Sequence, residues 1–343
     1  MIKNFEEIIT LQRGFDLPKQ DRDTGGHPLV SANGISDYIS KYKVTGPGVV
    51  TGRSGTIGNV FYVKNDFWPL NTTLFVKDFH GNNVKYISYW LSRFDLIKYA
   101  NGASVPTLNR NELNGLKCII HTPSEQQHIV NTIWSVDDLI ENHNRQIQKI
   151  LSIGDLLICQ STNTDSLAKY ANISLGGTPS RSHPEYWNGT IKWINSGAMT
   201  DSPAIMEQTE FITELGVKNS ATKCANEGDT VLSIIDPGTN KVSVVLDNKV
   251  YFNQSVICLS AKNQNDKGLI YFGGKKLVDE IKGYATGAAQ QSLNKEMFEI
   301  SEIHVPDSQT IEKLNKLLER IMELEKRIRF LNRLKIRLLS KYF

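Results

Sequence analysis

The sequence is poor in the features that mark most chemistries. It has four cysteines, Cys118, Cys159, Cys224 and Cys258, scattered over 343 residues with no Cys-x-x-Cys. Neither a zinc site nor a disulfide framework is indicated, and the expected setting is a reducing cytoplasm. No apolar run approaches the ~20 residues that a membrane span needs, so no membrane is expected among the partners. The start, MIKNFEEIITLQRGF, lacks the basic-then-apolar pattern of a secretory signal. There is no Gly-x-x-x-x-Gly-Lys-[Ser/Thr] phosphate loop and no Gly-x-Gly-x-x-Gly dinucleotide turn. There is no Gly-x-Ser-x-Gly elbow, no His-Glu-x-x-His zinc helix and no Asn-Pro-Pro-[Phe/Tyr] of the adenine methyltransferase type. The seven histidines fall at no metal-ligand spacing. Glu280-Ile281-Lys282 has the Glu-x-Lys form of some nucleases, but on a helix surface it reads as a solvated charge pair. The chain is therefore expected to be non-catalytic.

What the sequence does contain is a repeat. GASVPTLNRNELNGLKCIIHTPSEQQHI runs from Gly102 to Ile129, and GAAQQSLNKEMFEISEIHVPDSQTI from Gly287 to Ile311. Leu108-Asn109-Arg110 matches Leu293-Asn294-Lys295, Ile120-x-x-Pro123 matches Ile303-x-x-Pro306, and Gln127-x-Ile129 matches Gln309-x-Ile311. With Gly102-Ala103 matching Gly287-Ala288, four matches in order, at nearly constant offset, mark an internal duplication.

Each repeat ends in a heptad helix. The first seam is Ile129, Ile133, Val136, Ile140, His143, Ile147 and Ile150. The second is Leu314, Leu317, Ile321, Leu324, Ile328, Leu331, Lys335 and Leu338. Apolar steps of three and four held this long point to a coiled coil. Ser124, with Gln127 three residues on, is the expected cap of the first helix, and Gly154-Asp155 is a candidate early stop. Residues 123–157 hold two basic residues against five acidic, and residues 306–343 ten against five, so the helices carry opposite charge and are expected to pack together. The long segments between read as strands broken by Gly, Asn and Asp, for example Val60-Phe61-Tyr62-Val63 and Val242-Ser243-Val244-Val245-Leu246, with a helix from Tyr86 to Tyr99. The expected architecture is a mixed α/β chain of two globules, 1–122 and 158–305, alternating with two helices, 123–157 and 306–343.

The remaining signals are those of nucleic-acid contact. The turn Arg53-Ser54-Gly55-Thr56-Ile57-Gly58-Asn59 offers a guanidinium, hydroxyls and an amide, suited to a phosphate and a base edge. It equally fits a plain β-turn in which glycines supply φ > 0. Arg13, Lys19 and Arg22 give a cationic loop that also fits a solvated surface. In the second globule the candidates are Thr178, Ser180, Arg181 and Lys192, with Asn240 and Lys241 at the turn equivalent to Arg53–Asn59. The repeated motif adds Asn109 and Arg110, then Gln290, Gln291, Asn294 and Lys295, whose amides suit adenine and whose cations suit guanine or phosphate. Residues 158–305 hold thirteen basic against sixteen acidic residues, which weighs against a basic DNA face in that globule.

SLGGTPSRSHPEYWNGTIKWI, from Ser174 to Ile194, resembles the start of a target-recognition domain in the specificity (S) subunits of type I restriction–modification systems. RGFDLPKQDR and GRSGTIGNV look like the equivalent places in another variant of that domain. The Gly-Ala…Leu-Asn-[Arg/Lys]…Pro…Gln-x-Ile pattern looks like the passage into the long helix that follows. The resemblance implies two target-recognition domains separated by an antiparallel coiled coil, each reading one half of a split, asymmetric site in double-stranded DNA. It implies that two methyltransferase (M) subunits dock on the helices, with Ile129, Ile133, Ile140, Ile147, Ile321, Ile328 and Leu331 as the partner-binding candidates, and that restriction (R) subunits join them. No cofactor is then expected in this chain, because S-adenosylmethionine, ATP and Mg²⁺ belong to those subunits. A different class of protein, a coiled-coil adaptor that binds proteins without reading DNA, fits the same helices.

Overall fold

The internal repeat is a repeat of strand order. The computed structural model describes residues 1–101, 106–200, 202–205, 207, 210–234, 241–285 and 294–343. Two compact units arise, Met1–Asp138 with Arg333–Phe343, and Leu139–Asn332. The first copy runs β1 (Ile2–Asn4), α1 (Phe5–Ile8), β2 (Thr10–Arg13), β3 (Thr24–Ser31), β4 (Gly34–Ile39), β5 (Gly48–Gly52), β6 (Val60–Val63), β7 (Trp68–Pro69), β8 (Thr73–Asp78), α2 (Val84–Ser92), β9 (Ala100–Asn101), β10 (Thr107–Leu108), β11 (Lys117–Ile119) and α3 (Pro123–Cys159). The second runs β12 (Thr164–Ser166), α4 (Leu167–Tyr170), β13 (Ala171–Leu175), β14 (Trp187–Ile194), β15 (Glu210–Ile212), α5 (Glu214–Lys218), β16 (Lys223–Ala225), β17 (Thr230–Ser233), β18 (Val242–Val244), β19 (Val250–Phe252), β20 (Val256–Ala261), α6 (Lys267–Ala285), α7 (Lys295–Ile300), β21 (Glu302–His304) and α8 (Ser308–Tyr342).

The main sheet of the first copy has the order β2-β8-β5-β6, and that of the second β13-β20-β17-β18. All pairings in both are antiparallel. Each copy also has a second sheet with one parallel pair, β3 on β7 and β14 on β19. A short antiparallel ladder closes each copy: Ile2 lies opposite Ile119, and Asp165 opposite Ile303. The repeated Ile-x-x-Pro is thus the last strand of the globule followed by the entry to the long helix. The central strands are buried end to end, as in Gly48–Gly52 and Thr230–Ser233. Their valines and threonines suit a pleated surface covered on both faces.

Three expectations about helices need correction. The cap of α3 is Thr122, not Ser124. Pro123 takes the first helical position, where its missing N–H costs nothing, so the cap must precede it. Thr122 N donates to Glu125 Oε2 at 2.8 Å and Glu125 N to Thr122 Oγ1 at 3.4 Å. The helix expected from Tyr86 to Tyr99 stops at Ser92, where the backbone N–H groups of Arg93 and Phe94 close on Trp90 and Leu91 in a tighter turn; Leu96–Tyr99 is a separate 3-10 turn. Gly154 does not end α3. A Cβ there would lie 2.1 Å from the Phe272 ring, so the glycine admits α6 against the helix.

Each unit contains a stretch of both long helices. In the first, Ile129, Val130 and Ile133 join the core of Phe5, Ile8 and Leu91, with Leu338, Leu339 and Phe343 packed on it. Lys335, the cation in the second seam, reaches Asp137 at 2.6 Å, and Tyr89 Oη donates to the same carboxylate at 2.5 Å. In the second unit, Ile158, Leu314, Leu318 and Ile321 share one core with Leu232, Leu259 and Phe272, and Ile147 packs with Leu324 and Ile328. Leu318 rather than Leu317 is the fully buried seam residue. His143 is half-buried, and burial beside Arg327 and Arg320 pushes its imidazole below the usual value. Glu325 is 2% exposed and accepts from Ser202 Oγ at 3.0 Å. Burial pushes its carboxyl up, against the pull of Ser202 and Arg329.

Two predictions follow from this packing. Gly154→Ala should destabilise the fold by about 1–3 kcal/mol through overpacking, although alanine is the better helix former by ~1 kcal/mol; a higher thermal midpoint would contradict the packing account. Glu325 has a folded pKa above its ordinary 4.5, so the wild-type fold loses stability as pH rises from 4.5 through that raised value. Glu325→Gln should flatten this slope in pH-dependent denaturant unfolding, and an unchanged slope would remove Glu325 as its source.

Candidate nucleic-acid interface

In the first unit, β2, β8, β10 and the 3-10 turn Arg110–Leu113 enclose a cleft of about 1280 Å³. Four cations line it: Arg13, Arg53, Lys77 and Arg110. Gln12, Asn101, Asn109 and Asn111 supply amides. The backbone of Arg53 is pinned on both sides, since its N–H donates to Thr72 O at 2.8 Å and its carbonyl accepts from Leu108 N at 2.8 Å. Its guanidinium has no partner among the described residues, and neither has the Lys77 ammonium. Arg13 lies 3.9 Å from Asp16, with both side chains exposed; such a pair is worth little and is easily exchanged for a phosphate. Arg110 is half committed, donating to Leu11 O at 3.1 Å. Of the two lining carboxylates, Glu6 accepts from Gly115 N at 2.8 Å, and that hydrogen bond holds its carboxyl below the usual range. Asp16 accepts from Asn71.

Sequence reasoning thus found Arg13, Arg53, Asn109 and Arg110 of this cleft and missed Lys77, Gln12, Asn101 and Asn111. Lys77 owes its place to a bulge: Thr10 pairs with Asp78 and Leu11 with Val76, leaving Lys77 unpaired. Bulges re-aim side chains in this way, and no residue type announced this one. The other candidates of this unit lie outside the cleft. Lys19 is exposed on a 3-10 turn. Arg22 donates twice to Leu17 O, at 3.2 and 3.0 Å, and braces its own loop. Ser54 bridges to Thr107 through backbone, Thr56 donates to Asn33 Oδ1, and Asn59 is exposed. Gly55 and Gly58 do hold φ of 82° and 96°, as a turn requires. Asn109 spends its Oδ1 capping the 3-10 turn through Asn111 N, at 3.1 Å.

The second unit treats its candidates differently. Arg181 stacks 3.5 Å over the Trp187 ring and bonds Glu210 at 2.6 Å. Lys192 pairs with Asp247 at 3.2 Å. Thr178 donates to Gln254 at 2.5 Å, and Ser180 shares a hydrogen bond with Ser182. Asn294 caps α7 by accepting from Met297 N at 2.9 Å, and Lys295 pairs with Glu299 on the next turn. These groups are engaged within the globule. The repeated Leu-Asn-[Arg/Lys] is a capping motif in both copies. Lys241 lies just before β18, its carbonyl accepting from Ser233 N at 3.0 Å. Asn240, Gln290 and Gln291 lie outside the described residues.

A family model described as type I restriction modification DNA specificity domain matches residues 1–152 and 166–334. The chain belongs to this family. The crystal structure of the type I restriction–modification system S subunit from M. genitalium superposes over 100% of this chain and 96% of that one, at 16% identity and a TM-score of 0.60. The HsdS subunit from Thermoanaerobacter tengcongensis aligns over the same shares at 13% identity and a TM-score of 0.35. No curated protein matches the chain.

Within a specificity-domain chain the partner-surface expectation needs correction. Ile129, Ile133, Ile147, Ile321, Ile328 and Leu331 are buried within the chain itself, and Ile140 is half-buried against the same seam. Their apolar area is already removed from water, so it cannot drive docking of another subunit. Exposed apolar residues on the long helices include Leu139, Ile153, Leu156, Phe330 and Ile336. Among the described residues no helix is long and apolar enough to cross a membrane, and no group of three or more His, Cys, Asp or Glu could hold a metal.

The contrast between the copies predicts opposite phenotypes. Arg53→Ala should weaken duplex binding and lower the salt slope by about 0.9, the value of one phosphate contact, with thermal stability unchanged. Arg181→Ala should chiefly lower thermal stability, because it removes a stacked, carboxylate-bound guanidinium. Wild-type DNA affinity in Arg53→Ala would remove Arg53 from the interface.

Proposed function

We propose that this chain reads DNA sequence for a type I restriction–modification complex, each globule contacting one half of a bipartite, asymmetric site. The observation that carries this is the family match in two copies, one of which has an open cleft lined by four cations and several amides. Arginine and lysine suit phosphates and guanine, and asparagine and glutamine suit adenine. The side chains outside the shared frame differ between the copies, which supports two unlike half-sites.

The long helices would set the spacer. As a continuous α-helix, the 37 residues of α3 extend roughly 55 Å at ~1.5 Å per residue, against ~34–36 Å for one DNA turn. An antiparallel arrangement is supported within each unit. In the first, His121 meets Phe343 while Asp137 meets Lys335. In the second, Ile147 packs with Leu324 and Ile328, while Ile158 shares the core of Leu314 and Leu318. The exposed faces of these helices would dock two methyltransferase subunits, with restriction subunits joining that assembly. S-adenosylmethionine, ATP and Mg²⁺ would be carried by those partners, and the two globules would run 1–122 and, beyond the end of α3 at Cys159, to 305. The adaptor alternative is favoured only by the engaged cations Arg181 and Lys192 of the second unit.

Co-expression with an adjacent methyltransferase gene, in a host without such systems, tests the proposal. Long-read sequencing should reveal adenine methylation at a split, non-palindromic motif with one fixed spacer. Unmethylated DNA from cells that contain the assembled complex would favour the adaptor, and a palindromic motif would contradict the two unlike half-sites.

A further inference from the structure

Of the cations that the sequence singled out in the second unit, Arg181, Lys192 and Lys295 are held by carboxylates, and open cations among the described residues lie elsewhere. A cavity of about 440 Å³ forms between β14, β19 and the end of α5. Lys192, Lys218 and Lys249 line it over an apolar floor of Ile191 and Val217, with Glu214 the acidic residue among the lining. Lys218 and Lys249 are exposed and have no partner among the described residues. Lys192 is set by Asp247 at 3.2 Å, and the same carboxylate takes Arg329 at 3.0 Å. One aspartate therefore serves two cations.

The backbone at Lys249 is informative. Its φ is 56°, in the left-handed region where glycine or asparagine is the ordinary occupant. A lysine there strains the turn, which Lys249 N steadies by donating to Asn226 Oδ1 at 3.3 Å, while its side chain is exposed. Strain held at an exposed cation beside a cavity points from geometry to use. The cavity is open and its charge sits at the rim, which suits a polyanion passing across it.

We propose that the open cations Lys218 and Lys249, beside the Asp247-held Lys192, grip backbone phosphates of double-stranded DNA for the second unit. The inference rests on the reading that this unit contacts DNA. It also explains how a globule of net negative composition could do so, since phosphate grip needs a few local cations and not a basic whole.

The test measures binding of the full chain to a random-sequence duplex of about 40 base pairs over a salt series, with each phosphate contact contributing about 0.9 to the slope. Lys249→Gly relieves the left-handed strain and should keep or raise the thermal midpoint. Combined with Lys218→Ala, it should lower the slope by about 2 and the low-salt affinity roughly tenfold. Lys313→Ala, which removes an exposed cation of α8, should leave the slope unchanged. A wild-type slope in the double variant overturns the inference while leaving DNA reading intact. An equal loss in Lys313→Ala overturns it as a mere net-charge effect. Absence of salt-dependent binding by the wild-type chain overturns both readings. Inorganic phosphate displacing the duplex at matched ionic strength in wild type, but not in the double variant, would mark a small-anion pocket and overturn the duplex assignment.

Discussion

Burial of the long helices in the cores of the globules is the interaction on which the rest of the structure depends. In the first unit the side chains of Ile129, Val130 and Ile133 are part of the same core as Phe5, Ile8 and Leu91. In the second, Leu314, Leu318 and Ile321 lie in the core of Leu232, Leu259 and Phe272. Each such side chain contributes roughly 1.5–3 kcal/mol when fully buried, a large amount against a total stability of about 5–15 kcal/mol. A helix so embedded is a structural member of its globule and not a flexible tether. The two closing ladders, β1 on β11 and β12 on β21, then fix the angle at which each globule hands the chain to its helix.

That constraint shapes where charge can be spent. Lys335 stands in an apolar seam because Asp137 and Tyr89 form a partner set for it. Glu325 is tolerated in the second unit because Ser202 donates to it and Arg329 stands near. On the globules the balance differs. Arg181 is consumed by Trp187 and Glu210, while Arg53 and Lys77 stay open beside a cluster of amides. A cation already hydrogen-bonded to a carboxylate must give up that bond to take a phosphate, and the net gain is small. Open cations are therefore better placed to take a phosphate than cations already paired.

Much of the frame was legible from the repeat alone. Gly102–Ile129 and Gly287–Ile311 announced two copies, and the matching sheet orders β2-β8-β5-β6 and β13-β20-β17-β18 are those copies. The 3.5-residue period of the seams gave both long helices. What was not legible depended on tertiary contact. Gly154 looks like a stop until Phe272 is seen against it, and Lys77 looks like any strand lysine until the bulge turns it into the cleft. Asn109 and Asn294 have the right chemistry for adenine, but helix termini also need acceptors, and here the caps take them. Composition could point to Arg53 because glycines isolate it in a turn. It could not separate Arg53 from Thr56, whose hydroxyl is taken by Asn33.

The central claim is that embedded helices fix the distance between two readers. It is tested most directly by inserting four residues between Asp138 and Leu139 in α3 and four between Asn332 and Arg333 in α8. Four residues add ~6 Å of helix, about two base pairs at ~3.4 Å each. With the methyltransferase partner present, the account predicts the same two half-sites with a spacer longer by about two base pairs. Methylation at the original spacer would contradict it.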